Sequence, residues 1–427
     1  MKKHPAAKTR THAAWAVARA AEKRGRRALG TVRIRFALAA LALLAATAAA
    51  QEDEPAEPTG TEPGELEDMV VTATRIERTL LDAPGSVTVI GRDKIAETGG
   101  ADIGDVIREA EGVDVLKYGG AGSTTTAHLR GTAGVHALVL VDGRTENSPS
   151  LGSADLSALS PAFVERVEIV RGPASALYGA GAVGGVIQVF TREVPTEPVN
   201  EAHVFFGSFE TVGGSFLTGA PFGPGGGLLG LHAVRVDGHR PNSDFEKQEL
   251  FGKLVFGDEI TGRTDITLGL SGSRTGWPGA RPPLDPLDRS DSQLALGTDE
   301  VSSLVDFGES TAGYLQVSCR KDRLRLRMSA DHKRNSTHRE WIDWLSSNRV
   351  AQDQLMETTS PQIEASTSWE LPRGMQAIAG VAMGHDRFQV DTLDKDLVAG
   401  TETRDGRVDV RATAGLWGQL EVESESW

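Results

Sequence analysis

The chain has 427 residues, of which 39% are hydrophobic and 5% aromatic, and a formal net charge of −14. That length suits two or more domains or one large β structure, and the acidic balance lacks the basic footprint that nucleic-acid binding requires. Cys319 is the single cysteine, so no intrachain disulfide forms.

Residues 1–35 hold eleven Lys/Arg and one acid, and Phe36 to Ala50 is apolar or small apart from Thr47, ending in Ala48-Ala49-Ala50. A basic stretch, a short apolar stretch and an Ala-x-Ala site predict a secretory signal peptide over residues 1–50. As a helix the apolar part reaches only ~22 Å, short of the ~30 Å hydrocarbon core, which disfavours a retained anchor. Taking those eleven bases and one acid from totals of 45 and 59 leaves a mature charge near −24. No later window holds 18 consecutive apolar residues, so the mature chain would cross a membrane only as a β-barrel. Residues 51–68, QEDEPAEPTGTEPGELED, are acidic and rich in Pro, Gly and Thr, and predict a flexible linker. At its end Met69, Val70, Val71, Thr72, Ala73 and Thr74 form a short strand-prone segment.

From residue 75 to 195 strand and helix signals interleave, which predicts a compact mixed α+β domain. Val87–Ile90, Val113–Leu116, Ala137–Val141, Val164–Val170 and Val186–Phe190 read as strands. Ile103–Glu109 and Asp155–Phe163 carry helical spacing, with Asp102 and Asp155 as N-caps. Asp142-Gly143 is a tight-turn signal. Gly179, Gly181 and Gly184 satisfy G-x-G-x-x-G, yet a dinucleotide site needs a strand before the first glycine and a helix after the last. Here the helical piece, Ala174–Tyr178, precedes and the strand follows, so the glycines read as backbone crowded into a bend.

After Glu201 helical spacing gives way to alternation. In RLRLRMSAD, Leu324, Leu326, Met328 and Ala330 face one way and Arg323, Arg325 and Arg327 the other. Ten strands are predicted near 202–209, 211–219, 228–237, 249–257, 264–273, 311–319, 323–331, 361–370, 375–384 and 409–421. The second, fourth, sixth and eighth connections are short; the third, fifth, seventh and ninth are long and polar. That is the up-and-down pattern of an outer-membrane barrel. Glu421, Glu423 and Glu425 precede Trp427 where a lipid-facing strand should be apolar, and ten strands leave an open edge. The expectation is therefore an incomplete barrel over residues 201–427.

The ordered motifs resemble those of the TonB-dependent outer-membrane receptors, from about Asp68 to the end. EDMVVTATR, Glu67 to Arg75, is similar to the family's energy-coupling box. TTAHLRGT, Thr125 to Thr132, with VLVDGR, Val139 to Arg144, resembles the internal plug motif. VERVEIVRGPASALYGAGAVGGVIQVFTR, Val164 to Arg192, resembles the plug's end signature and is the most specific match. The resemblance implies an α+β plug inside an antiparallel transmembrane β-barrel that imports a bulky nutrient. A ferric siderophore is the leading cargo and cobalamin or haem the alternative; a passive porin or adhesin barrel is the competing class. It implies an inner-membrane TonB-type energy transducer as partner to Met69–Thr74, outer-membrane lipid around the barrel, and no catalytic site. A tethered strand of this kind adds to a partner's sheet edge through main-chain hydrogen bonds.

Within the same resemblance Arg130, Gly131, Asp142, Gly143, Arg171 and Gly172 lie in the plug motifs. Arg130 and Arg171 either hold the plug to wall glutamates, with Glu364 and Glu370 as candidates, or are solvated capping residues. Arg323, Arg325 and Arg327 either steer an anionic ligand or are wall charges balanced by plug carboxylates. Asp285, Asp288 and Asp291 suit a calcium site or a solvated acidic loop, with no other cofactor expected. His332 and His338, placed in a loop, are weak candidates for haem.

Overall fold

The structure is a computed structural model that describes residues 70–71, 78–79 and 86–421, apart from 240–241, 259, 278–305, 343–348 and 373–374. The predicted signal peptide and linker, Met69, Thr72–Thr74, Asp285, Asp288, Asp291, Glu423, Glu425 and Trp427 lie outside the described residues. No helix among those described is long and apolar enough to cross a membrane.

Strands β1 (Val70–Val71) and β2 (Arg78–Thr79) pair antiparallel as a two-residue ladder, Val70 opposite Thr79 and Val71 opposite Arg78. The mixed domain follows. Its strands are β3 (Ser86–Gly91), β4 (Val113–Lys117), β5 (Thr125–Leu129), β6 (Ala137–Val141), β7 (Arg144–Thr145), β8 (Val164–Arg171) and β9 (Gly185–Thr191). Five of them form one sheet in the order β3-β8-β9-β6-β7, with β6 parallel to β9 and the other pairs antiparallel. Strands β4 and β5 form a separate hairpin. The alternating run Val164–Arg171 buries Val167 and Ile169 completely, and these join Ile103, Ile107, Leu129, Leu156 and Ile187 in one apolar core.

Helices α1 (Arg92–Thr98) and α2 (Ile103–Ile107) cover that core. Asp102 caps α2 as its residue type predicts, accepting from the Asp105 amide at 3.1 Å. Helix α1 has no side-chain cap and buries only Ile95, so its sequence carries no periodic signal. The helix predicted over Asp155–Phe163 is instead two 3₁₀ turns, Leu156–Ala158 and Pro161–Phe163. Pro161 holds Ser160 extended and splits the run. Helix α3 (Ser175–Tyr178) precedes the glycines and β9 follows them, the reverse of a dinucleotide-binding turn. Gly185 shows the crowding directly. Its φ is +145°, and a Cβ there would strike the Val170 carbonyl and the Leu129 side chain.

Ten further strands form one antiparallel sheet in chain order: β10 (Val199–Gly207), β11 (Thr211–Phe222), β12 (Gly225–Val236), β13 (Phe245–Phe256), β14 (Arg263–Gly276), β15 (Phe307–Lys321), β16 (Leu324–Ile342), β17 (Arg349–Leu371), β18 (Met375–Asp396) and β19 (Thr401–Glu421). Each of the ten predicted strands has its counterpart, and β10 and β19 do not pair with one another. The predicted long seventh and ninth loops are mostly strand, because β16 to β19 run for 19 to 23 residues. A tilted strand needs only about 9–11 residues to cross a bilayer. The excess lies beyond the apolar stretch, where polar sequence is compatible with strand. His332 and His338 therefore sit on β16 rather than in a loop.

The sheet's two faces invert the distribution of a soluble protein. On one face Leu254, Ile266, Val317, Met328, Ile363, Met383 and Ala414 stand opposite one another in an unbroken row across β13 to β19. Met328 and Ile363 in that row are about 40% exposed, and Leu416 on the same face of β19 is 88% exposed. On the other face Lys253, Thr267, Gln316 and Ser329 are paired in register and are buried. Exposed apolar and buried polar side chains on one alternating sheet suit a lipid-facing exterior around a filled polar interior. The filling is the mixed domain.

Candidate functional site

The site is the contact between the mixed domain and the sheet's polar face, and it begins at the Asp142-Gly143 turn. Asp142 and Gly143 have φ of +46° and +79°, the left-handed pair an Asp-Gly hairpin turn requires. The Asp142 carboxylate accepts from the Thr191 amide at 2.9 Å and from the Thr191 hydroxyl at 2.6 Å, tying the turn to β9. Its carbonyl accepts from Gln316 Nε2 of the sheet at 3.1 Å. A Cβ on Gly143 would strike the Arg327 guanidinium, so the turn lies directly against β16.

The turn sends Arg144 and Glu146 into the interface. Arg144 is 2% exposed, bonds to Glu146 beside it and to Asp331 of β16, and stacks over the Tyr314 ring at 4.1 Å. Lys333 Nζ reaches Glu146 at 2.5 Å. Burial alone would raise the Glu146 carboxyl, but Arg144 and Lys333 overcome it and hold the group at about 2. Arg144 is likewise raised above its ordinary value: burial opposes its charge, and Glu146 and Asp331 more than offset that. The result is a four-member charge network in which plug and wall each supply one acid and one base. A cavity of about 110 Å³ adjoins it.

Three further contacts seat the domain. Lys247 donates to the Ala158 carbonyl at 2.8 Å and pairs with Glu249 at 3.0 Å. Phe163 stacks on Phe251 with centroids 5.4 Å apart, inside an apolar cluster with Leu217 and Leu228. Glu193, just past β9, binds Lys253 at 3.2 Å and Arg263 at 2.8 Å. Burial works against the Glu193 charge, but those two cations carry its carboxyl below the usual range.

The other residues expected at this contact fall elsewhere. Arg171 donates to Ser86 Oγ at 3.0 Å, to Thr88 Oγ1 at 2.7 Å and to the Glu111 carbonyl, all within the mixed domain. Those acceptors engage all three nitrogens of its guanidinium where β3 meets β8, so it turns into its own domain rather than towards a wall glutamate. Glu364 pairs with Arg327 on the neighbouring strand rather than with the plug. Arg130 is exposed with φ +50°, and a Cβ on Gly172 would lie 3.7 Å from its guanidinium. Gly131, at φ +74°, completes the turn after β5, and Gly172 donates to the Gly184 carbonyl at 3.1 Å. Arg327, expected either to steer ligand or to meet a plug carboxylate, is neutralised by a wall glutamate. His338 is held by Asp353 at 2.5 Å and Glu340 at 3.3 Å, and His332 lies 3.1 Å from Thr359. No group of three or more His, Cys, Asp or Glu residues placed to hold a metal occurs among the described residues. Sequence reasoning missed Arg144 and Glu146 as contact residues. The signal available was two charges, Arg144 and Glu146, just after a turn that follows the wholly apolar run Ala137–Val141.

Residues 79–186 match the family model described as TonB-dependent Receptor Plug Domain. Over 184 residues the chain is 35% identical to the vitamin B12 transporter BtuB of Photobacterium profundum, a match covering 42% of this chain and 30% of that protein. Among solved structures it resembles P. aeruginosa FpvA bound to heterologous pyoverdines, with TM-score 0.65 and 18% identity over 83% of this chain and 52% of that one. It also resembles the ferric citrate transporter FecA in its unliganded form, with TM-score 0.58 and 15% identity over 81% and 55% of the two chains. The chain thus spans about half the length of those structures and less of the curated relative. Residues 79–186 thus form a plug domain of the TonB-dependent receptor type, set against a sheet that shares its fold with those structures.

Proposed function

We propose that the whole protein imports a bulky nutrient across an outer membrane, with residues 86–191 closing the pore and Met69–Thr74 receiving mechanical work from an inner-membrane transducer. The leading cargo is a ferric siderophore and the second a corrinoid, the classes carried in the names of the relatives. The observation that supports this reading is the sheet with apolar residues outward and buried charges inward, filled by a plug whose contacts with it are mostly polar. A plug seated by ion pairs and hydrogen bonds is released into water at lower cost than one seated by an apolar core, because each broken polar contact is replaced by hydration. No step requires a chemical reaction on the chain; the protein's work is binding, occlusion and release. Val70 and Val71 already lie in a two-residue ladder, and adding them to a partner's sheet edge would exchange one set of main-chain bonds for another.

Deletion of Met69–Thr74 in the intact gene tests the reading. Ligand should still bind at the cell surface while energised uptake disappears. Uptake that persists at the unaltered rate would favour a passive porin or adhesin barrel.

A further inference from the structure

At the ends of β14 to β17 farthest from the short connections, the wall carries a cluster of charges distinct from the plug seat. His338 lies ten residues along β16 from Met328, about 33 Å beyond the apolar row. Its Nδ1 meets Asp353 Oδ1 of β17 at 2.5 Å, and its Nε2 meets Glu340 Oε1, two residues on, at 3.3 Å. Its ring stacks on Phe307 of β15, the residue opposite, with centroids 5.5 Å apart. Glu340 is 2% exposed, and its amide donates to Asp306 Oδ1 at 2.8 Å. The Asp306 carbonyl accepts from the Trp277 amide at 3.0 Å and from Asn242 Nδ2 at 2.6 Å. The start of β15 is thereby tied to the end of β14 and to the connection between β12 and β13.

Both ring nitrogens of His338 therefore face carboxylate oxygens. A neutral imidazole has one N–H and would set a lone pair against one of the two; only the imidazolium donates to both. The other cations nearby are engaged elsewhere. Lys395 of β18 binds the second Asp353 oxygen at 2.9 Å. Arg274 of β14 lies over Phe307 and Arg339 over Trp277, each 5.0 Å from the ring centroid, and Glu309 of β15 stands opposite Arg274. The Glu340 carboxylate raises the His338 imidazole above its ordinary value; burial opposes that and Asp353 reinforces it. Burial pushes the neighbouring Asp306 carboxyl above its ordinary value as well.

We infer that His338 works as a proton-operated clasp at this rim: charged, it binds β15, β16 and β17 together, and neutral, it lets their ends part. Loss of the proton takes a charged donor from the buried Glu340 and turns one carboxylate contact repulsive. The clasp is complete below about pH 6.5, the ordinary histidine value, and is lost as pH rises through the raised one. Order at the rim thus follows the pH of the surrounding medium, whatever the cargo.

The full chain in detergent micelles tests this by two readings. The first is hydrogen exchange by mass spectrometry, expressed relative to the unstructured rate at each pH. Amides of residues 338–340 should lose protection at least about tenfold between pH ~6 and ~9, the factor that one pKa unit represents, while amides around Met328 keep theirs. The second is ring 15N NMR, in which the histidine signal that disappears in His338→Arg should titrate above the ordinary value. His338→Gln should show no pH step and stay at the alkaline level throughout. His338→Arg, a fixed cation, should hold the acid level to pH ~9, which a purely packing role for the ring would not produce. Protection independent of pH in the unaltered chain, a His338 midpoint at or below the ordinary value, or an unchanged step in His338→Gln overturns the inference. Should a variant fail to fold, the exchange profile of the unaltered chain still decides.

Discussion

Replacing Arg144 with Met should unseat the plug more than any other single change at the interface. Arg144 is 2% exposed and bonded to Glu146 and Asp331, which are themselves buried. Its loss leaves Glu146 with Lys333 and leaves Asp331 as a buried carboxylate stripped of its plug partner. Removing one member of a buried charge pair costs about 3–5 kcal/mol, mostly as the penalty on the charge left behind. If plug undocking governs exchange, amides of Val139 and Val141 on β6 should then exchange about two to three and a half decades faster. Amides of β13 in the wall should not change. The double variant Arg144→Met/Asp331→Leu removes the orphaned carboxylate and should recover most of the loss, to within about 1–2 kcal/mol of the unaltered chain. Hydrogen exchange read by mass spectrometry on the full chain in detergent measures all three proteins. Exchange at β6 unchanged by Arg144→Met, or a double variant as labile as the single, would refute the reasoning.

The same network sets a pH dependence of known sign. Glu146 lies at about 2 in the folded protein against an ordinary 4.5, so its contribution is complete above pH 4.5 and is lost as pH falls towards 2. Thermal midpoints should be flat in this term from pH 7 to 5, then drop; Glu146→Gln should remove that component of the acid limb, and an unchanged limb would count against it. Gly185→Ala should destabilise the plug by more than about 2 kcal/mol, because the new methyl meets a backbone carbonyl at a positive φ that L side chains avoid. A denaturant midpoint that does not move would contradict that packing. Ile363→Arg, in the middle of the apolar row, should cost about 2–4 kcal/mol if that face meets lipid at the bilayer midplane. Reversible unfolding into micelles or vesicles measures it, and a neutral result would turn that face away from lipid.

Much of the fold was legible because its signals are local. Alternation at period two marked wall strands such as β16, and Val164–Arg171 announced itself as a strand in the same way. Asp102 and the Asp142-Gly143 turn declared themselves by residue type, since a cap and a left-handed turn are each satisfied within a few residues. Strand ends were misplaced where β16 to β19 continue into polar sequence, because polarity ends the membrane band without ending the hydrogen-bonded ladder. Helix α1 escaped notice because one buried residue, Ile95, makes no period.

The sequence by itself determined that a mixed domain precedes a two-faced sheet and, in strands such as β16, which face is apolar. Only the tertiary structure decided which charges meet. Arg144 finds Asp331 across 187 positions, while Arg171, equally prominent in its motif, turns back into its own domain. The reason is geometric. A residue's face follows from its neighbours in the chain, but its partner across the plug–wall boundary depends on strand register accumulated over several pairings and on the rotation at which the plug sits. Neither quantity is written in any local window.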